Sequence, residues 1–117
     1  MNTDCDMSDV KDVTDENFSS VILESKDPFL VQVQADWSGE CFLMAKIIDQ
    51  LAHEFQPQVK FACVNIDLNQ KLTEDYGITE LPFLLFFKDG KLVHHLIGLQ
   101  SKNFLKSQII GFLLPDH

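Results

Sequence analysis

The chain has 117 residues, 45% of them hydrophobic and 23% charged, with a formal net charge of −9. That length and balance predict one globular domain able to bury roughly two-thirds of its unfolded surface, and they exclude disorder and a disulfide-stapled miniprotein. All nine basic residues are lysine, and without the arginine that bidentate phosphate and guanine contacts depend on, this acidic chain is excluded as a nucleic-acid binder.

Residues 1–9 read as an acidic, flexible tail and residues 10–117 as the folded domain. Asp4, Asp6, Asp9, Asp12, Asp15 and Glu16 face only Lys11 across this front, the pattern of a solvated, solubilising segment. The first apolar run, Val21-Ile22-Leu23, is too short for a secretory leader, and no run approaches the roughly 18 residues of a membrane span. Cys5, Cys41 and Cys63 make an odd count, so at least one thiol stays unpaired within a monomer. Cys5 is expected to be an exposed tail thiol, and a reducing cytoplasm is the expected compartment.

Val10 to Val13 reads as a short edge strand. Thr14 then looks like an N-cap, followed by Asp15 and Glu16 in a first turn and by Phe18, Val21 and Ile22 at helical spacing, with Asp27-Pro28 closing the helix. Phe29 to Ala35 is a strong strand in which Val31, Val33 and Ala35 alternate with Gln32 and Gln34; if the strand is central, Gln32 needs a hydrogen-bond partner. A long amphipathic helix follows over about Glu40 to Phe55, with Met44, Ile47, Ile48, Leu51 and Phe55 as its apolar stripe. Val59 to Asp67 is a second strong strand that points Val59, Phe61 and Cys63 one way and Ala62, Val64 and Ile66 the other. A short helix over Asn69 to Tyr76 ends at Gly77.

Pro82 to Phe87 is a densely apolar strand. Lys88-Asp89-Gly90-Lys91 turns it into a hairpin, because Asp-Gly readily supplies positive φ. Leu92 to Ile97 returns, and Ser101 caps a last helix with Phe104, Leu105, Gln108, Ile109 and Phe112 along one face. The order βαβαβαββα predicts an α/β sandwich, a mixed central sheet of four to five strands with helices on both faces.

The stretch with chemical content is Ala35-Asp36-Trp37-Ser38-Gly39-Glu40-Cys41, a strand-to-helix turn holding one thiol. A cysteine in a first helical turn meets free backbone N–H groups and partial positive charge, which can favour the thiolate. Asp36 to Cys41 is similar to the Trp-Cys-Gly-Pro-Cys turn of the thioredoxin family. Val64-Asn65-Ile66-Asp67, Tyr76 to Pro82, Phe86 to Gly90 and Gly98 to Ser101 resemble further segments of that family, over about residues 10–115.

The resemblance implies the thioredoxin fold, with Pro82 as a cis-proline facing the turn. It also implies a groove from Trp37, Gly39, Glu40, Leu81, Pro82 and Gly98 that receives an extended polypeptide. The departures bear on activity. Ser38 stands where the family has its attacking cysteine, leaving a Ser-x-x-Cys motif. Gln32 replaces a buried acid, and Cys63 replaces that acid's lysine partner. Glu40 and Lys46 replace two prolines. A single Cys-to-Ser change would fit a laboratory trap mutation; the accompanying losses argue for a natural variant.

Dithiol exchange needs an attacking thiolate and a second thiol to resolve the mixed disulfide. A serine hydroxyl cannot attack a disulfide without a strong base, and Glu40 adds negative charge beside Cys41, so dithiol–disulfide oxidoreductase activity is expected to be absent or weak. The leading expectation is therefore a module, chaperone-like in kind, that binds a polypeptide client or partner protein. Two alternatives stay open. One is monothiol disulfide or glutathione-linked redox chemistry at Cys41; the other is an acidic scaffold subunit docking through its tail. Cys63 reads as a buried small side chain, with a Cys41–Cys63 bridge left open. No cofactor is expected. No metal site is expected either, because His94 and His95 face opposite ways on a strand, and His53 and His117 stand apart.

Overall fold

A computed structural model describes residues 9–115. Five strands form one mixed sheet: β1 (Val10–Asp12), β2 (Phe29–Gln34), β3 (Lys60–Asn65), β4 (Phe83–Lys88) and β5 (Lys91–Ile97). Their spatial order is β1-β3-β2-β4-β5. β3 runs parallel to both β1 and β2, while β4 is antiparallel to β2 and to β5. The helices are α1 (Gly39–Phe55), α2 (Gln70–Asp75) and α3 (Lys102–Leu113), with a 3-10 turn over Ile66–Leu68. The mixed-sheet α/β architecture expected from the element order is the one observed, and it is the fold that the resemblance implies.

The alternation along the strands divides the interior into two cores. Leu30, Phe61, Cys63, Leu84 and Phe86 meet Met44, Ile48, Leu51, Ala52 and Phe55 of α1 and Leu105 and Ile109 of α3. On the other face Val31, Val33, Ala62, Val64, Leu85 and Phe87 meet Phe18, Ile22, Leu72 and Ile78. β4 is buried on both faces, which is why Phe83 to Phe87 is continuously apolar rather than alternating. Each such side chain contributes about 1.5–3 kcal/mol by leaving water. α3 buries Leu105 and Ile109, leaves Phe112 half-buried edge-on to Phe86 at 5.2 Å, and exposes Phe104.

The first expected helix is reduced to a π-helical segment, Ser19–Leu23. Thr14 does cap the turn it starts: its Oγ1 accepts the backbone N–H of Asn17 at 3.4 Å, and its own N–H donates to Asn17 Oδ1 at 2.7 Å. Asp15, by contrast, is engaged elsewhere and accepts the backbone N–H groups of Lys71 and Leu72 at the start of α2. An aspartate capping a helix 56 residues away does not serve its own first turn. The acidic tail expected over residues 1–9, Cys5 included, lies outside the described residues apart from Asp9. Among the described residues, no helix is long and apolar enough to cross a membrane.

Candidate functional site

Sheet topology gathers the candidate residues at one edge. β2 and β3 run parallel and end there, at Gln34 and Asn65. β4 is antiparallel to β2 and begins there, with Val33 opposite Phe83, and β5 ends beside it, with Phe83 opposite Ile97. The segments just beyond these ends, Asp36–Cys41, Ile66–Leu68, Leu81–Pro82 and Gly98, therefore share one rim of the molecule.

Ser38 is the N-cap of α1. Its backbone is extended (φ −99°, ψ 116°), and its Oγ accepts the backbone N–H of Cys41 at 3.2 Å. Such a cap contributes about 1 kcal/mol to the helix it starts. Cys41 thus sits in the first turn of α1, a free thiol with 2% of its surface exposed. Beneath it Gln32, 1% exposed, donates its Nε2–H to the Cys41 carbonyl oxygen at 3.3 Å. Gln32 lies directly opposite Cys63 in the β2–β3 register.

Cys63 is buried but is not merely a small apolar filler: it is disulfide-bonded, and because Cys41 is free the two do not pair with each other.

Above the turn, Trp37 is 72% exposed and its indole Nε1–H donates to Asp67 Oδ2 at 2.9 Å. Asp67 is held in turn by its own backbone N–H, which donates to Asn65 Oδ1 at 2.9 Å. Across the rim the Leu81–Pro82 peptide is cis, and the Gly98 N–H donates to the Pro82 carbonyl at 2.8 Å. Pro82 is buried and Leu81 half-buried, whereas Gly39 and Glu40 are exposed. Gly98 takes φ +91°, a conformation L side chains rarely adopt. His94 packs on Phe86 and hydrogen-bonds Gln108, and His95 stacks on Phe83, so the two rings occupy opposite faces of β5.

Two features of the site go beyond the expectations above. Ser38 is a helix N-cap as well as a replaced cysteine, and a serine just ahead of an amphipathic run is the usual signal of such a cap. Asp67 as acceptor for the indole, with Leu68 beside it 77% exposed, had no local signal, because its partner lies 30 residues away.

Residues 9–110 match the thioredoxin family model. The chain is 42% identical over 96 residues to a thioredoxin of Rickettsia prowazekii, covering 82% of this chain and 91% of that one. It is 38% identical over 103 residues to thioredoxin 1 of Synechococcus elongatus (88% and 96% covered). It is 36% identical over 104 residues to a thioredoxin of Pseudomonas aeruginosa (89% and 93% covered). These matches overturn the expectation of a module without reductase activity. That expectation rested on Ser38 and its few companions, whereas the likeness to proteins named thioredoxin extends over four-fifths or more of the chain, and the thiol of Cys41 remains free in the turn. Sequence similarity along nearly the whole domain and the sheet that it builds agree, and the chain belongs to the thioredoxin family.

Proposed function

We propose that this protein carries out thioredoxin-type thiol–disulfide exchange on polypeptide substrates, with Cys41 as its reacting thiol. The observation that carries the reading is the free Cys41 thiol in the first turn of α1, at the rim it shares with Trp37 and Pro82. In this reading residues 10–117 form the working domain, and Trp37, Gly39, Glu40, Leu81, Pro82 and Gly98 receive an extended segment of substrate.

The chemistry balances as follows. The Cys41 thiolate attacks one sulfur of a substrate disulfide; that S–S bond breaks, a mixed disulfide with Cys41 forms, and the other substrate sulfur leaves as a thiolate that takes a proton from water. A thiol from a protein partner or small molecule then attacks the Cys41 sulfur and releases the substrate thiol. A second such thiol restores Cys41 and departs as the oxidised disulfide. Substrate gains two electrons and the two donor thiols lose them. Gln32 and the Ser38 cap hold the first turn of α1 in place meanwhile.

The test is reduction of a disulfide-linked polypeptide by dithiothreitol. The wild-type protein should accelerate it, Cys41→Ser should return it to the dithiothreitol background, and Ser38→Cys should raise it by about tenfold or more, since a second thiol held in the turn acts at high effective concentration. A wild-type rate equal to both the background and the Cys41→Ser rate would defeat the proposal.

A further inference from the structure

We infer that the substrate segment taken at this rim is cationic as well as apolar, an inference that rests on the proposed exchange site and names its substrate class. The rim exposes two large apolar side chains, Trp37 at 72% and Leu68 at 77%, and Phe42, next to Cys41 in α1, is 50% exposed. Surface of this kind is covered when a partner binds. Around it stand the exposed carboxylates of Asp36, Glu40 and Asp67.

The lysine ion pairs among the described residues lie away from this rim: Asp27 with Lys60, Asp75 with Lys71, and Glu54 with Lys102 and Lys106. Asp36, Glu40 and Asp67 form no ion pair among the described residues. Lys46 Nζ lies over the Phe42 ring, 4.7 Å from its centroid, and pairs with none of the three carboxylates. The Trp37–Asp67 hydrogen bond ties the apolar and acidic parts into one surface. A net charge of −9 adds the same sign at longer range. An incoming peptide with lysine or arginine beside an apolar residue meets complementary charge on an apolar floor; an acidic peptide meets repulsion.

Two synthetic peptides test this, identical except that arginine or glutamate flanks a Leu-Ser-Leu centre. Serine in place of cysteine removes any disulfide chemistry, and binding is followed by emission of Trp37, the chain's single tryptophan. The arginine peptide should bind about tenfold or more tightly at low ionic strength, and the gap should narrow to a few-fold at about 0.5 M salt. The double variant Asp36→Asn, Glu40→Gln should lose most of the preference while keeping the apolar contribution. Equal affinities, a preference for glutamate, a gap indifferent to salt, or no binding of either peptide would overturn the inference. These outcomes are separable from failure of the exchange reading, because Cys41 takes no part in the binding measurement.

Discussion

Gln32 Nε2 donates to the carbonyl oxygen of Cys41 at 3.3 Å, across the gap between a central strand and the first turn of the helix above it. Gln32 is 1% exposed, so this bond satisfies a buried amide that has no access to water. Gln32→Leu keeps most of the volume and removes the donor. The substitution should destabilise the protein by about 1–2 kcal/mol. Urea unfolding would show this as a lower midpoint with an unchanged slope. An unchanged midpoint would mean that the strand holds the turn by packing alone.

The β4–β5 hairpin supplies a second prediction. Asp89 and Gly90 both take positive φ, 55° and 77°. A Cβ added at Gly90 would collide with the backbone carbonyl of Leu23, at the end of the π-helical segment. Gly90→Ala should therefore cost about 2–3 kcal/mol, combining backbone strain with displacement of a neighbouring chain. The same change at Gly111, in α3 with no atom within 4 Å of the new methyl, should instead stabilise by about 0.5–1 kcal/mol. Thermal melts of the two variants should shift in opposite directions, and a common direction would refute the geometric reading.

A third prediction concerns acid. The side-chain hydrogen bond from Lys102, then that from Lys106, lowers the Glu54 carboxyl below its ordinary value of 4.5 and ties α1 to α3. A carboxyl lowered on folding contributes stability that is present above its unfolded value and lost as pH falls through the folded one. Glu54→Gln should thus be less stable than wild type at pH 7, by a modest amount as befits an exposed pair, and the two should converge once the pH falls below the lowered Glu54 value. Denaturation at both pH values measures the difference; a gap that persists in acid would assign it to packing.

Much of the fold was legible in the order of residues because its causes are short-range. The alternation in Val31-Gln32-Val33, the stripe Met44–Ile48–Leu51–Phe55, the Asp89-Gly90 turn and the Ser101 cap each act within a few residues, and each element formed near its expected bounds. The Trp37 to Cys41 turn was also visible, as was the family that it resembles. Ser38 does not by itself settle the activity, because the likeness carried by the rest of the chain outweighs it.

The sequence by itself determined the alternating strands, the caps, the acidic balance and a single thiol at the start of a helix. Tertiary structure decided the rest: that Asp15 caps α2 instead of its own helix, that Gln32 reaches Cys41, that Cys41 stays free while Cys63 is disulfide-bonded, and that Asp67 holds the indole of Trp37. The physical reason is distance along the chain. Local propensities and caps are set by neighbours in sequence, but a bond between residues 30 or 57 positions apart exists only once the order β1-β3-β2-β4-β5 has brought the strand ends to one rim.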